Sequence, residues 1–167
     1  METLWYTEPS GHEMPNPAPE QMLGFMRQEY DGNWGPYSPV GVLEWYEHPA
    51  QPMPTRVGLG PYVSQLIFVR HPERGWFFEF SSKVPDQWLV SLGPAGDQRK
   101  WVKHWACGEE TYILAACFVP QAVGERVVVD FLARKEPSPT VKWVAFEELS
   151  PRLGPAEYRQ RRGKPHG

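Results

Sequence analysis

This sequence predicts an α+β fold: a single twisted, mostly antiparallel sheet of about seven strands, with an early and a late helix packed on it. Three observations carry the prediction. Short runs that alternate apolar and polar residues recur through the middle of the chain, as half-buried strands require. The nineteen prolines are too many for a helical protein and fall largely between those runs, where they stiffen turns. Between residues 111 and 148 the period changes from strand to helix and back, which lays a helix on the sheet. At 167 residues the chain is the size of one domain, long enough to bury roughly two-thirds of its unfolded surface.

Residues 1–17 hold Pro9, Gly11, Pro15 and Pro17 and read as a loosely ordered arm, with Leu4, Trp5 and Tyr6 tucked against the body or added as a short edge strand. The domain spans 18–150. Met22, Leu23, Phe25 and Met26 mark a first helix over about residues 18–30, closed by Asp31-Gly32-Asn33. Strands follow at 41–47, 64–70 and 76–82, the last two joined by a hairpin loop, His71 to Gly75. Residues 87–92 and 99–105 read as a second hairpin pair. The apolar run 112–119, closed by Pro120, is expected as a central strand buried on both faces. Val123, Val127, Val128, Phe131 and Leu132 then form one helical stripe over 121–135, with Arg134 and Lys135 at the negative end of the helix dipole. Residues 140–146 make a last strand, placed nearer an edge because it keeps Lys142. Residues 151–167 show no apolar pattern and read as a flexible basic tail, with Leu153 and Tyr158 available for packing.

The formal net charge of −3 divides unevenly. All twenty acidic residues lie in 1–157 against thirteen Lys and Arg, while 158–167 add four basic residues. An acidic body disfavours wrapping of nucleic-acid phosphates and favours a basic partner. Residues 1–8 are acidic rather than signal-like, and no apolar run reaches membrane-spanning length, so a cytoplasmic protein without a membrane partner is expected. Cys107 and Cys117 are expected as reduced thiols, the second inside the apolar run.

A search for catalytic chemistry finds little. His104, Cys107 and Cys117 supply at most three zinc ligands, and the deaminase pattern of His-x-Glu with Pro-Cys-x-x-Cys is missing. Gly58-Leu-Gly60 leads into Pro61 and a strand, so it cradles no phosphate at a helix start. A Cys107 nucleophile with His104 as its base is disfavoured, because residues three apart near a strand end point to different sides. The same spacing separates Glu44 from Glu47. Trp101 and Trp105, with Lys103 between them, and the basic tail make an alternative: a single-stranded nucleic-acid binding module. A helix-covered sheet face accounts for the same aromatics. No enzyme activity, cofactor, metal or small-molecule ligand is expected.

The C-terminal half carries a resemblance. Phe118-Val-Pro120, the helix with Val127-Val-Val-Asp-Phe-Leu132 and the link Pro137-Ser-Pro-Thr-Val-Lys-Trp143 resemble the closing segment of the first immunity family of bacterial polymorphic toxin systems. In that family a helix ending in a Phe-containing turn leads through a polar, proline-bearing link to a strand with Trp. Phe131 and Trp143 stand at those positions. The likeness is specific over 117–143, loose over 18–116, and does not extend to the arm or the tail. It implies a non-enzymatic protein that binds a cognate toxin, often a nucleic-acid deaminase or nuclease, and covers its basic active-site cleft. An acidic inhibitor gains on-rate against such a cleft by electrostatic steering. Partner contacts are then expected from Glu44, Glu47, Trp105, Glu109 and Glu110, while Val127, Phe131, Leu132 and Trp143 are expected in the core.

Overall fold

The computed structural model describes residues 2–29, 34, 40–47, 61–94, 99–106 and 109–162. In chain order the strands are β1 (Thr3–Thr7), β2 (Glu13–Pro15), β3 (Val40–Tyr46), β4 (Ser64–His71), β5 (Gly75–Lys83), β6 (Asp86–Leu92), β7 (Trp101–Ala106), β8 (Glu109–Leu114), β9 (Phe118–Val119), β10 (Lys142–Ala145) and β11 (Arg152–Leu153). The helices are α1 (Pro19–Met26), α2 (Gln121–Arg134), α3 (Phe146–Leu149) and α4 (Pro155–Arg162). The α+β class stands, with two sheets in place of one. The larger runs β10-β6-β5-β4-β3-β1-β2 with β9 on β5; the smaller runs β11-β8-β7. The strand pairings are antiparallel throughout the described residues.

The second sheet arises where the apolar run 112–119 divides. Its first part belongs to β8, Ala115–Cys117 makes one 3-10 turn, and Phe118–Val119 crosses to the larger sheet as β9. The expectation of one central strand is therefore corrected. The expected pairing of 87–92 with 99–105 is corrected too, because β6 pairs with β5 and β10, whereas β7 pairs with β8. Two groups hold the crossing. β5 shares one long edge between β6 and β9, and the Ser91 hydroxyl fills the gap, accepting from Phe78 N–H at 3.0 Å and donating to the Cys117 carbonyl at 2.8 Å. At Gly93 the chain passes so close that a Cβ would lie 2.0 Å from the Phe118 carbonyl oxygen. Only glycine fits there.

α1 and α2 pack on one face of the larger sheet, as expected for the early and late helices. Met22, Met26, Val127, Val128 and Phe131 meet Leu43, Leu66, Phe68, Phe78 and Phe80 in a single cluster. The i, i+4 stripe of α2 makes this contact possible, and Gly124 lets the helix seat against Trp76, where a Cβ would be 2.5 Å from the indole. The Trp76 indole N–H donates to Gln121 Oε1 at 2.7 Å. Leu132 and Trp143 pack against the cluster half-buried. Behind α2, buried Asp130 accepts from the Ser138 hydroxyl at 2.6 Å and from Thr140 Oγ1 at 3.1 Å, while Trp143 donates to the Ser138 carbonyl at 2.8 Å. That polar link sets β10 at the sheet edge anticipated from Lys142.

Both ends of the chain add to the sheets. β1 pairs with β3 and β2 caps the edge, so the N-terminal segment is a hairpin rather than a loose arm, and Leu4, Trp5 and Tyr6 are buried. At the other end β11 pairs with β8, Leu153 is buried, and Tyr158 of α4 stacks on Tyr112 with ring centroids 3.7 Å apart. The expected tail is thus folded through Arg162, because Leu153 and Tyr158 find apolar and aromatic partners on the smaller sheet. Residues 163–167 lie outside the described residues.

Candidate binding site

The smaller sheet covers part of the larger sheet's second face. Val69, Phe77 and Val90 meet Val102, Ile113 and Phe118 there. Beyond the covered part the register lays out two rows of side chains. One crosses β3, β4, β5, β6 and β10 as Val42, Ile67, Glu79, Val90 and Val144. The next crosses β1, β3, β4, β5 and β6 as Trp5, Glu44, Gln65, Ser81 and Trp88. Because directly opposite residues share a face, the second row is a polar stripe flanked by tryptophans.

Glu44 belongs to this stripe and is 1% exposed. It accepts hydrogen bonds from Tyr46 at 3.0 Å and Gln65 Nε2 at 2.8 Å. The expectation of Glu44 as an exposed partner contact is therefore corrected: its strand alternation is that of a half-buried sheet, but the polar face is covered as well. Glu47, just past β3, is exposed.

A hollow of about 310 Å³ opens along the stripe, with Gln65, Ile67, Glu79 and Ser81 on its floor and Tyr62, Lys83, Asp86, Gln87, Trp88 and Arg152 around it. Arg152 closes one side. Its Nη2 donates to Glu79 Oε2 at 2.9 Å, and its Nε lies 2.7 Å from Oε1 as a charge contact, since Oε1 receives no aligned hydrogen bond. Burial pushes the Glu79 carboxyl up, while Arg152 and a hydrogen bond from Trp88 oppose the rise. Trp88 stacks on Phe146 at 3.6 Å, and the Arg152 guanidinium sits 5.8 Å from the same ring. Lys83 Nζ lies 5.1 Å over Tyr62. Nothing in the sequence pattern marks this hollow, because Arg152 and Glu79 are 73 positions apart.

Trp105, Glu109 and Glu110 lie at the end of the pair where β7 runs into β8; Trp105 pairs with Glu110 and Ala106 with Glu109, so Trp105 and Glu110 share a face. Trp105 is 40% exposed and Glu109 is exposed. Glu110 is held by Lys103 Nζ at 2.5 Å and by the Tyr112 hydroxyl at 2.5 Å; with Lys103 as the first cause, its carboxyl falls below the usual range. Lys103 also lies over the Trp105 ring at 5.1 Å. The other side of β7 faces inward. His104 is 3% exposed, its Nε2 has no hydrogen-bond partner, and burial, with His71 nearby, holds it down to about 4. Cys107 lies outside the described residues. Among the described residues no cluster of three or more His, Cys, Asp or Glu side chains is arranged to hold a metal ion, and no helix is long and apolar enough to cross a membrane.

The geometry and fold define an α+β domain with three large apolar side chains, Val84, Trp88 and Trp105, left exposed among the described residues. A scan against models of known protein families gives no match, and a search of curated proteins gives none either.

Proposed function

We propose that this protein is an immunity-type inhibitor of the bacterial cytoplasm, which binds a cognate toxin, a deaminase or nuclease, and covers its basic active-site cleft. One observation carries the reading: Trp105, exposed where β7 runs into β8, stands directly across from Glu110, with exposed Glu109 next to Glu110 in the chain. An aromatic anchor with a charged surround is the anatomy of a protein-binding hot spot. Among the described residues Glu109 has no ion-pair partner, whereas Glu110 is engaged by Lys103. The resemblance over 117–143 supports the same reading through core residues, with Val127 and Phe131 buried. The acidic body adds steering toward a basic surface.

The test is neutralisation. A basic partner co-purified from the host is assayed for its own activity while the protein is titrated in; the reading requires loss of activity at one-to-one stoichiometry. A partner that stays active at saturation would remove the inhibitor role.

A further inference from the structure

The hollow beside Arg152 has features that the inhibitor reading does not use. Its charges cancel: Lys83 and Arg152 stand against Glu79 and Asp86. A site of that kind has no preference for an ion. Its apolar surface is aromatic, supplied by Trp88, which is 40% exposed, and by Tyr62. Its polar groups are planar and fixed. Glu79 holds the Arg152 guanidinium through Nε and Nη2, which leaves Nη1 with no partner among the described residues. Gln65, on the floor of the hollow, spends one amide N–H on Glu44 and has no further side-chain partner among the described residues. Unsatisfied amide and guanidinium groups lining a hollow are hydrogen-bonding capacity held ready for a ligand.

We propose that this hollow is a binding site for a neutral carbohydrate. A pyranose ring offers an apolar C–H face, which fits against an exposed aromatic ring, and pairs of adjacent hydroxyls, which match the two-point geometry of an amide or guanidinium. A volume of about 310 Å³ holds one such ring with part of a second. The pairing of Arg152 with buried Glu79 orients the guanidinium before the sugar arrives, so little ordering cost falls on binding.

The experiment is an NMR titration of the full chain, following the Trp88 indole N–H and the Gln65 side-chain amide, with maltotriose, cellotriose and chitotriose as neutral probes and glucuronate and inorganic phosphate as anionic ones. The expected result is saturable binding of at least one neutral probe, with shifts centred on those two signals. Trp88→Ala, which removes the exposed ring from the wall of the hollow, weakens that binding by roughly tenfold, the worth of one aromatic contact. No shift with any neutral probe overturns the proposal. So does tighter binding of glucuronate or phosphate, which would make the hollow an anion site of Lys83 and Arg152.

Discussion

His104 makes acid stability a direct probe of how the two sheets join. The imidazole is buried against the larger sheet, its ring centroid 6.3 Å from that of His71, and its Nε2 has no hydrogen-bond partner. Burial first, and then His71, lowers it from 6.5 to about 4. His71 is lowered as well, chiefly by burial. The native protein therefore keeps His104 neutral where the unfolded chain already binds a proton. Stability is complete above pH 6.5 and is lost as pH falls toward 4. At about 1.4 kcal/mol for each pH unit, about 2 kcal/mol should disappear between pH 6.5 and 5. That window lies above the titration of Glu110 and Glu125, whose carboxyls are held low. Urea unfolding at pH 7, 6 and 5 measures the slope, and His104→Phe should flatten it while leaving the His71 share. Equal slopes in the parent and the variant would refute the burial of a neutral imidazole between the sheets.

Phe131→Ala removes a ring, 1% exposed, that meets Phe80 edge-on at 6.2 Å; it should cost about 3–5 kcal/mol in urea unfolding, and a loss below about 1 would contradict its place in the core. Cys117, whose thiol burial pushes up to about 12, should resist Ellman's reagent in the native protein and react once the chain is denatured. Prompt native labelling of both thiols would count against its burial. Arg152→Ala leaves Glu79 without its cation and should cost about 2 kcal/mol at neutral pH, less than a fully buried pair because the guanidinium is 40% exposed. Because the Glu79 carboxyl is already raised, that cost should shrink as pH falls and the group protonates; a pH-independent cost would point to lost packing on Phe146 instead.

The legible parts of the chain are those whose burial is periodic. The stripe of α2 and the alternation of β4 and β5 each have one face toward a core, and period alone then gives element and face. The run 112–119 defeats the same rule. A strand buried on both faces and a segment crossing between two sheets are equally apolar, and the 3-10 turn at Ala115–Cys117 carries no glycine or proline to mark it. Sequence proximity suggested that 87–92 and 99–105 pair, whereas the chain at Gly93 turns under Phe118 and leaves the sheet. One polar group departs from its pattern. Glu44, expected as an exposed contact, is buried, because Gln65, 21 positions away, reaches it only in the fold. Of the expected contacts, Trp105, Glu109 and Glu110 lie at one end of β7 and β8, where the antiparallel register sets Trp105 opposite Glu110 and Ala106 opposite Glu109.

The hairpin end is also where the proposed function meets its most direct measurement. Purified protein and the Glu109→Lys, Glu110→Lys, Trp105→Ala variant are used side by side to capture partners from host lysate, with elution by rising salt. An inhibitor of a basic toxin should retain one basic protein in equal amount to itself, release it as salt increases, and lose it in the variant. Equal capture by both forms would contradict a partner surface built on Trp105 and Glu109. Recovery of nucleic acid by the parent, again lost in the variant, would contradict the inhibitor reading itself.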